Sequence, residues 1–466
     1  MKSNSDFIQR VSQNQHFKII DAVTGNAYLW TDITNAATLP DLTGMLAFLY
    51  LDNSINSIIA FFQFYSIGAA LVLLPKNLQP ARKTVLETNY SPAIIFDESR
   101  TDIENSTATS SGILSWFTSD IRHRLSINKD IRILLSTSGT TGSPKLVKLS
   151  EENIVANADS IIGYLPLNPN DITPLNLPIY YSYGLSVLTT HSLAGGTMVC
   201  GLADMIQREF WQQWDLYGFT SLAGVPFSYE MLNRLGFFKK DLPSLRYFTQ
   251  AGGRLNADLV VKAATFAADT KKLFFVMYGQ TEATARMSYL PPTETLDNPT
   301  SIGIAISGGQ FSLDTSTGEL LYSGKNVFGG YAETATDLAY YEPAAVLRTG
   351  DVARIDEKGY VYITGRLKRF IKLFGNRISL DEIEEIIKNR FGLQPIACIG
   401  AGDKFLLVSH TDSSVDEKAI SAFLFAEFGI HPTVIRWNAL AGLPLTANGK
   451  IDYQQIQKDY DGRQAV

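Results

Sequence analysis

A chain of 466 residues is longer than one hydrophobic core usually serves, so we expect at least two domains, one of them large. Apolar residues make up 45% of the sequence and charged residues 18%, which excludes an intrinsically disordered chain. The 40 Lys and Arg residues against 46 Asp and Glu residues give a formal net charge of −6 without a basic stripe, so nucleic acid is not an expected partner.

The N-terminus and the cysteines both favour a cytoplasmic protein. The opening residues, MKSNSDFIQR, lack the apolar core and the cleavage site of a signal peptide. Cys200 and Cys398 are far apart and neither belongs to a CxxC pair, so we expect neither a disulfide framework nor a zinc site. We therefore predict a chain that stays in the reducing cytosol.

An apolar run from Ile58 to Leu74 has nearly the length of a membrane-spanning segment. Gly68 divides it into a helix-like half and a β-prone half, and Pro75 closes it. This pattern is more typical of a buried helix that leads into a buried strand. We therefore expect no membrane insertion.

Strand and helix patterns then alternate, which favours an α/β fold built on a mostly parallel sheet. One helix is predicted from Glu151 to Gly163, started by Ser150, and another from Ala257 to Ala268. The predicted buried strands are Ala93 to Phe96, Ile131 to Leu135, Thr197 to Cys200, Ser221 to Gly224, Leu245 to Thr249 and Leu273 to Val276.

The pattern changes twice towards the C-terminus. From about Ser307, short alternating segments with Gly-containing turns predict a small antiparallel β region. After Gly365, a capping-box start at Ser379 predicts a helix to about Phe391, followed by more strands and one more helix. We expect a large N-terminal domain of parallel α/β sheets with that antiparallel region over residues 1–365, and a small mobile α+β C-terminal domain over residues 366–466.

The segment STSGTTGSPK, from Ser136 to Lys145, follows a predicted buried strand and so reaches the carboxyl edge of the sheet, where open α/β folds bind ligands. Its glycines let backbone N–H groups turn towards one point, its hydroxyls add donors and Lys145 adds a positive charge. Those groups suit a polyphosphate. A Walker loop requires GxxxxGK[ST] leading directly into a helix, whereas Pro144 stands where such a helix would begin, so we expect no kinase-type loop.

Four later blocks follow this loop along the chain. They are YGQTE at Tyr278 to Glu282, RTGD at Arg348 to Asp351, GRLKRFIKLFGNRISLDEIE at Gly365 to Glu384, and LPLTANGKID at Leu443 to Asp452. Together with the loop, they resemble the acyl-adenylate-forming superfamily, which includes acyl-CoA synthetases, aryl and aminoacyl carrier-protein ligases and luciferases. YGQTE alone would carry little information, but five blocks in this order are seldom met by chance.

The resemblance implies a ligase that uses ATP and Mg²⁺. Enzymes of this superfamily join a carboxylate to AMP, release pyrophosphate and then pass the acyl group to a thiol, which belongs to CoA or to the phosphopantetheine arm of a carrier protein. Because two anions meet in the first step, the site needs a metal ion, a lysine and many fixed donors aimed at the phosphates.

The resemblance also implies roles for single residues. Glu282 is expected to bind Mg²⁺, Thr281 to donate to the α-phosphate and Lys450 to supply a catalytic ammonium group. Asp351 and Arg366 match two ribose contacts, and their alternatives are a turn aspartate and a surface ion pair. The implied nucleotide-binding residues are Thr137, Ser138, Gly139, Thr140, Thr141, Gly142, Lys145, Gly252, Gly253, Tyr278, Gly279, Asp351 and Arg366.

A lysine as far along the chain as Lys450 reaches the phosphates only if the C-terminal domain closes over the large one. Lys368 matches the hinge position of the superfamily. Gly375 and Asn376 would line the thiol tunnel after the rotation, and a glycine there lets the backbone approach a pantetheine arm.

The acyl pocket departs from the superfamily pattern. In NLPIYYSYGLSVL, Tyr181 stands where a histidine is usual, and Leu146 replaces the glycine that usually follows the loop lysine. Neither Tyr180 nor Tyr181 can pair with a substrate ammonium group, which favours an uncharged acyl or aryl acid over an α-amino acid. The implied pocket residues are Tyr180, Tyr181, Gly184, Gly252 and Gly279.

The sequence leaves several alternatives open. CoA and a carrier protein are equally compatible acceptors. An amino-acid-adenylating ligase is one alternative, and a nucleotide-binding but inactive relative that serves as a regulatory or scaffold subunit is another. A kinase-type ATPase would release ADP instead of AMP and pyrophosphate.

Overall fold

A computed structural model of the chain describes residues 5–103, 106–119, 126–136, 145–367, 369–373, 376–401, 405–446 and 449–464. The chain divides into two compact units: unit 1 is residues 1–310 with 323–347, and unit 2 is residues 311–322 with 348–466. The predicted domain boundary between residues 365 and 366 stays a prediction. Within the ranges given, no helix combines the length and the hydropathy that crossing a membrane requires.

The elements follow in chain order. The helices are α1 (Asp6–Gln13), α2 (Trp30–Asn35), α3 (Ile55–Ser66), α4 (Pro80–Tyr90), α5 (Glu151–Tyr164), α6 (Ser182–Ala194), α7 (Arg208–Tyr217), α8 (Pro226–Arg234), α9 (Ala257–Asp269), α10 (Leu380–Phe391), α11 (Glu417–Phe428) and α12 (Tyr453–Gln464). The first strands are β1 (Lys18–Asp21), β2 (Ala27–Leu29), β3 (Leu46–Leu51), β4 (Ala70–Pro75), β5 (Ile94–Phe96), β6 (Ser106–Ser111), β7 (Leu114–Ser119), β8 (Ile133–Ser136), β9 (Leu146–Leu149), β10 (Ile172–Pro174), β11 (Thr197–Cys200), β12 (Ser221–Gly224) and β13 (Tyr247–Gln250). The later strands are β14 (Leu273–Tyr278), β15 (Ser288–Leu290), β16 (Ile304–Ala305), β17 (Gly309–Leu313), β18 (Glu319–Gly324), β19 (Tyr331–Ala332), β20 (Leu347–Ile355), β21 (Val361–Arg366), β22 (Phe370–Leu373), β23 (Asn376–Ser379), β24 (Ile396–Ala401), β25 (Phe405–His410) and β26 (Ile435–Ala439).

The largest sheet of unit 1 has the strand order β19-β9-β8-β4-β3-β5-β7-β6. Its centre is parallel, because β8, β4, β3 and β5 run in the same direction, whereas the strands at both edges are antiparallel. Strand β3 is buried along its whole length. This burial explains its unbroken apolar sequence, since a central parallel strand is covered on both faces.

The apolar run from Ile58 to Leu74 forms most of α3 and of β4, which confirms the predicted buried helix and strand. Ser54 caps α3, since its side chain accepts a hydrogen bond from the Ser57 backbone N–H. Gly68 turns the chain between the two elements at φ +84°, a conformation that favours glycine. Both elements therefore belong to the core of unit 1.

Two smaller sheets of unit 1 have the orders β12-β13-β14-β15-β16 and β10-β11-β1-β2. Strands β12, β13 and β14 are parallel to one another, and so are β10, β11 and β1. The strands predicted at Thr197 to Cys200 and Ser221 to Gly224 are confirmed residue for residue. Because parallel strands end at one edge of a sheet, β13 and β14 deliver Gln250 and Tyr278 to the same edge.

Unit 2 contains most of the sheet β17-β18-β20-β21, the hairpin β22-β23 and the sheet β24-β25-β26. Helix α10 ends at Phe391, and Gly392 follows at φ +66°, which confirms the predicted helix end. The core of this unit is aliphatic. Its buried members are Ile371, Ile378, Leu380, Ile383, Ile387, Leu393, Ile396, Cys398, Leu406, Val408, Ile420, Leu424, Ile430 and Ile435.

Candidate functional site

The Ser, Thr and Gly loop leaves the largest sheet at the end of β8, which is parallel to β4. Residues 137–144 lie outside the described residues, and with them the predicted phosphate contacts Thr137, Ser138, Gly139, Thr140, Thr141 and Gly142. The description resumes at Lys145, after which the chain enters β9, antiparallel to β8. A strand thus stands where a Walker loop would lead into a helix.

Lys145 lies near Glu282 in unit 1, although the two residues are far apart in sequence. The Tyr331 hydroxyl donates a 2.8 Å hydrogen bond to Glu282 Oε1, and Lys145 Nζ lies 5.7 Å from the centre of the Tyr331 ring. Lys145 Nζ also pairs with Glu333 at 2.6 Å. Strand β19, which begins at Tyr331, pairs with β9 and so holds these groups beside the loop. We call Lys145, Glu282, Tyr331 and Glu333 the Tyr331 junction.

The two carboxylates of the Tyr331 junction have different partners, since Glu333 pairs with Lys145 and Glu282 accepts from Tyr331. Burial and the Glu282 carboxylate raise the pKa of Tyr331 above its ordinary value. The hydroxyl therefore keeps its proton and donates a hydrogen bond to Glu282. Both side chains of the Lys145–Glu333 pair are about half exposed, at 46% and 52%. A pair so exposed contributes about 1 kcal/mol or less, so an anion can replace Glu333 beside Lys145 at little cost.

Thr281 lies in a short 3₁₀ turn that follows β14, at the sheet edge. Its hydroxyl lies 3.4 Å from the Ser182 hydroxyl at the start of α6. The turn ends in two residues with left-handed backbone, Thr284 at φ +55° and Ala285 at φ +100°, which cost roughly 1–3 kcal/mol each. Asn326 supports the turn, because its side chain donates to the Ala283 carbonyl at 2.8 Å. Such strain, held in place by its neighbours, is typical of a functional site.

Gly279 lets this turn fold back closely on itself. A Cβ at Gly279 would lie 2.0 Å from the Ala285 carbonyl oxygen, which is closer than any side chain permits. Tyr278 precedes it at the end of β14. The backbone between Tyr278, a predicted nucleotide-binding residue, and Ala285 is therefore compact because residue 279 has no side chain.

The predicted acyl pocket has a tyrosine at its centre. A Cβ at Gly252 would lie 2.8 Å from the Tyr181 hydroxyl, so Tyr181 and this glycine face each other. Gly253 lies against Pro226, and Gly184 lets α6 approach the Pro178 carbonyl. Tyr181, Gly252 and Gly184 are thus placed around one region of unit 1.

Half-buried Tyr180 adjoins this region. Burial raises the pKa of both Tyr180 and Tyr181, so their phenol groups are neutral at physiological pH. The charge of Arg286 partly opposes that shift at Tyr181. Arg286 is therefore close to the pocket, although the sequence analysis did not single it out.

The predicted ribose contacts lie in unit 2. Asp351 in β20 faces Arg366 in β21, and Arg366 Nε donates to Asp351 Oδ1 at 3.0 Å. Asp351 is 7% exposed, and its backbone N–H donates to the Thr349 hydroxyl at 3.1 Å. The two residues are positioned together by adjacent strands, as ribose-binding neighbours would need to be.

Lys450 lies in a closed turn of unit 2. The Thr446 N–H donates to the Lys450 carbonyl at 2.7 Å, and the Lys450 N–H donates to the Thr446 hydroxyl at 3.2 Å. Gly449 has φ +71°. The predicted hinge residue Lys368 and tunnel residue Gly375 lie outside the described residues, and the side chain of Asn376, in β23, is likewise not described.

Three neighbours of the predicted site residues emerge only from the fold. Tyr331 and Glu333 follow a Gly-Gly pair but belong to no motif, and Ser182 is one of many serines. Arg286 offered a signal that could have been used, since it is a lone charge among apolar residues four positions after Glu282. A single charge in an apolar stretch is a recognisable sign of a buried functional group.

Comparison with known proteins identifies the class of enzyme. A model of the AMP-binding enzyme family matches residues 44–332, which include the loop, the YGQTE block and the Tyr331 end of the junction. The chain belongs to this family, and thereby to the acyl-adenylate-forming superfamily, as the motifs predicted. Its enzyme class is that of the adenylate-forming ligases.

Two relatives and one solved structure illustrate the likeness. Oxalate–CoA ligase from Arabidopsis thaliana is 25% identical over 425 residues, covering 86% of this chain and 81% of the relative. D-alanine–D-alanyl carrier protein ligase from Bacillus licheniformis is 28% identical over 370 residues, 71% of each chain. O-succinylbenzoate coenzyme A synthetase from Bacillus subtilis, solved with ATP and magnesium, has a TM-score of 0.78 at 19% identity, covering 98% of this chain and 100% of that chain. This structural likeness confirms the predicted α/β fold.

Proposed function

We propose that the chain activates an acyl or aryl acid as its acyl-AMP, with release of pyrophosphate, and then transfers the acyl group to a phosphopantetheine thiol. ATP and Mg²⁺ are the requirements of the first step, and CoA or a carrier protein is the acceptor in the second. The observation that carries the proposal is the Tyr331 junction. There the exit of the predicted phosphate loop, at Lys145, lies beside the predicted metal ligand, Glu282.

The residues of the junction fit a divalent cation and phosphate. Glu282 accepts its hydrogen bond from a neutral phenol, and no described lysine or arginine pairs with it, so its charge is available to a metal ion. Mg²⁺ bound there would neutralise the charge of the phosphates. Lys145, released from Glu333, supplies a cation to the same phosphates.

The remaining side chains bind and orient the two reactants. The Thr281 hydroxyl, held near Ser182, donates to the α-phosphate. Asp351 accepts hydrogen bonds from the ribose hydroxyls, and Arg366 fixes the orientation of the Asp351 carboxylate. Tyr181 and Gly252 bound the acid, and Lys450 provides the ammonium group that stabilises negative charge as the carboxylate displaces pyrophosphate.

The acceptor divides the proposal into two versions. Of the two relatives described above, one is a CoA ligase and the other a carrier-protein ligase. In either version Lys368 is the hinge, and Gly375 and Asn376 line the thiol tunnel. Mass measurement of the product formed with CoA and with a pantetheinylated carrier protein separates the two versions.

Replacement of Lys450 tests the proposed chemistry. In Lys450→Ala, acid-dependent exchange of pyrophosphate into ATP is expected to fall by on the order of a hundredfold or more, because the transition-state charge loses its ammonium partner. ATP binding, measured by calorimetry, is expected to persist.

Lys458→Ala is the matched control, since Lys458 is an exposed lysine of α12 in the same unit. It should leave the exchange rate unchanged. Equal rates of pyrophosphate exchange in both variants would contradict the role assigned to Lys450. Release of ADP instead of AMP by the unaltered enzyme would remove the proposed function as a whole.

A further inference from the structure

Arg286 is a cation buried in unit 1, and no residue that the structure describes is its counter-ion. It is 3% exposed, and its Nη1 donates to the carbonyl of its own neighbour, Ala285, at 3.1 Å. Its Nε is buried and has no hydrogen-bond partner. Among the residues that the structure describes, no carboxylate forms an ion pair with it.

An aromatic ring lies against this cation but does not neutralise it. The Arg286 guanidinium carbon lies 4.0 Å from the centre of the Tyr183 ring. The Tyr183 hydroxyl forms a hydrogen bond with the Thr249 hydroxyl at 2.7 Å. Burial raises the pKa of Tyr183 to about 12, and the Arg286 charge opposes that rise. Tyr183 is therefore a neutral phenol, and the positive charge of Arg286 stays uncompensated.

A cavity of about 20 Å³ reaches the guanidinium. Its wall is mostly apolar, and a few polar groups interrupt it. Its lining includes Arg286, Tyr183, Ser186, His191, Thr249 and Met277. This volume is enough for roughly one water molecule or for the end of a small polar group. An uncompensated buried cation beside such a space is a binding site for an anion.

The cavity lies next to the place where the acid is activated. Ser182 contacts Thr281, the proposed α-phosphate donor, and the next residue, Tyr183, contacts Arg286. Consecutive Cα atoms are about 3.8 Å apart, so Thr281 and Arg286 approach neighbouring positions on α6. An acid whose carboxylate reacts beside Thr281 can extend its other end towards Arg286.

We propose that the acid activated by this enzyme carries a second anionic group, and that Arg286 binds that group. This proposal rests on the proposed function and narrows its substrate class from acyl and aryl acids in general to acids with two negative charges. It departs from the uncharged acid that the sequence favoured. A neutral acyl chain would leave the guanidinium unpaired. A substrate ammonium group would be repelled by it, which also disfavours α-amino acids.

Binding of stable acyl-AMP mimics tests the proposal without relying on turnover. Acyl-sulfamoyl adenosine compounds are prepared with spacers of two to five carbons or a phenyl ring, ending in a carboxylate, a sulfonate, a carboxamide or a methyl group. Calorimetry is expected to show at least one anionic compound binding on the order of a hundredfold more tightly than its carboxamide and methyl counterparts. The carboxylate and sulfonate series show which anion is preferred.

Arg286→Met and Arg286→Lys make the test specific. Arg286→Met is expected to abolish the preference for the anionic compound and to leave AMP binding intact, whereas Arg286→Lys retains part of the preference. The Tm of ligand-free Arg286→Met is expected to be unchanged or higher, because an unpaired buried charge is removed. An arginine with a purely structural role would instead lower the Tm.

The outcomes separate the two proposals. If AMP binds, and neutral compounds bind as tightly as anionic ones at every spacer, the inference about Arg286 is overturned while the proposed function stands. If neither AMP nor any compound binds the unaltered enzyme, the proposed function is overturned and the inference with it.

Discussion

A buried arginine of unit 1 and a largely buried arginine of unit 2 meet the same kind of aromatic surface in different electrostatic surroundings. Arg286 in unit 1 lies 4.0 Å from the centre of the Tyr183 ring, and Arg369 in unit 2 lies 3.8 Å from that of Tyr453. The two guanidinium groups thus lie at nearly the same distance from a tyrosine ring. They differ in their counter-ions.

Arg369 has two carboxylate partners. It pairs with Asp381 at 2.5 Å and with Glu384 at 2.7 Å, and the Tyr453 hydroxyl donates to Glu384 as well. Burial alone would lower the pKa of Arg369, but the charges of Glu384 and Asp381 hold it above its ordinary value. Arg286 has no carboxylate partner among the residues that the structure describes. Burial and stacking are therefore common to both arginines, and the absence of a described counter-ion is what marks Arg286 as a binding residue.

Removing each guanidinium group in turn is the most direct test of this difference between the two arginines. Arg369→Met is expected to destabilise unit 2 by about 3–5 kcal/mol, because it leaves Asp381 and Glu384 without their cation. Hydrogen exchange of peptides from β24 and β25 reports the opening free energy of that unit.

Arg286→Met serves as the matched substitution in unit 1. It is expected to lower the opening free energy of β13 and β14, measured by hydrogen exchange, by less than about 1 kcal/mol, or to raise it. A loss of several kcal/mol in both variants would show that the two arginines play the same structural part, and the comparison would fail.

The backbone beside Arg286 offers a second, smaller test. A Cβ at Gly279 would lie 2.9 Å from the Arg286 Cα as well as against Ala285, so Gly279→Ala must push these residues apart. We expect a loss of about 1–3 kcal/mol in stability and a reduced preference for anionic over neutral acyl-AMP mimics.

Gly163→Ala is the control for that substitution. Gly163 lies in α5 with open space around its Cα, so an added methyl group should be neutral or stabilise the helix by about 1 kcal/mol. Thermal unfolding and calorimetry of both variants check the pair. A Gly279→Ala variant with unaltered stability and unaltered anion preference would show that this turn does not position Arg286.

The buried parallel strands of unit 1 could be predicted from sequence because their burial on both faces requires apolar residues. Strands such as β11 and β12 are short apolar runs between turn residues, and covering both faces of a sheet demands that pattern. Strand β6, Ser106–Ser111, lacks this pattern, because its residues are mostly polar. It is an edge strand that pairs only with β7, and since it buries little, it needs few apolar residues.

The candidate site was only partly predictable for a related reason. Motifs indicated Glu282, Thr281 and Lys145, because several groups that a phosphate site needs lie close together in sequence. Tyr331 could be recognised as a site residue only because the fold places it against Glu282, and Arg286 only because the fold places no described carboxylate beside it. Whether a buried charge has a counter-ion is a tertiary fact, and no spacing in the sequence encodes it.

Asp52 provides an intermediate case, a charge that is partnered but half exposed. Its Oδ2 lies 3.0 Å from Lys76 Nζ, and its side chain is 43% exposed. Burial would raise the pKa of Asp52, but hydrogen bonds from Ser54, Lys76 and Ser57 lower it from 3.8 to about 2. Because the folded-state pKa is the lower one, this carboxylate stabilises the fold above pH 3.8, and the contribution is lost as the pH falls through 2.

Asp52→Asn should therefore cost much less stability than Arg369→Met. After allowance for screening by solvent, the variant is expected to lose about 1 kcal/mol or less at pH 7, and its difference from the unaltered enzyme should shrink as the pH falls from 4 towards 2. Denaturant unfolding at a series of pH values measures this difference, with Asp102→Asn, at an exposed position, as the control. A loss at pH 7 as large as that expected for Arg369→Met, or a loss independent of pH, would contradict this expectation. Exposure would then not weaken a paired charge here. The number of partners alone would determine how much each charge contributes to stability.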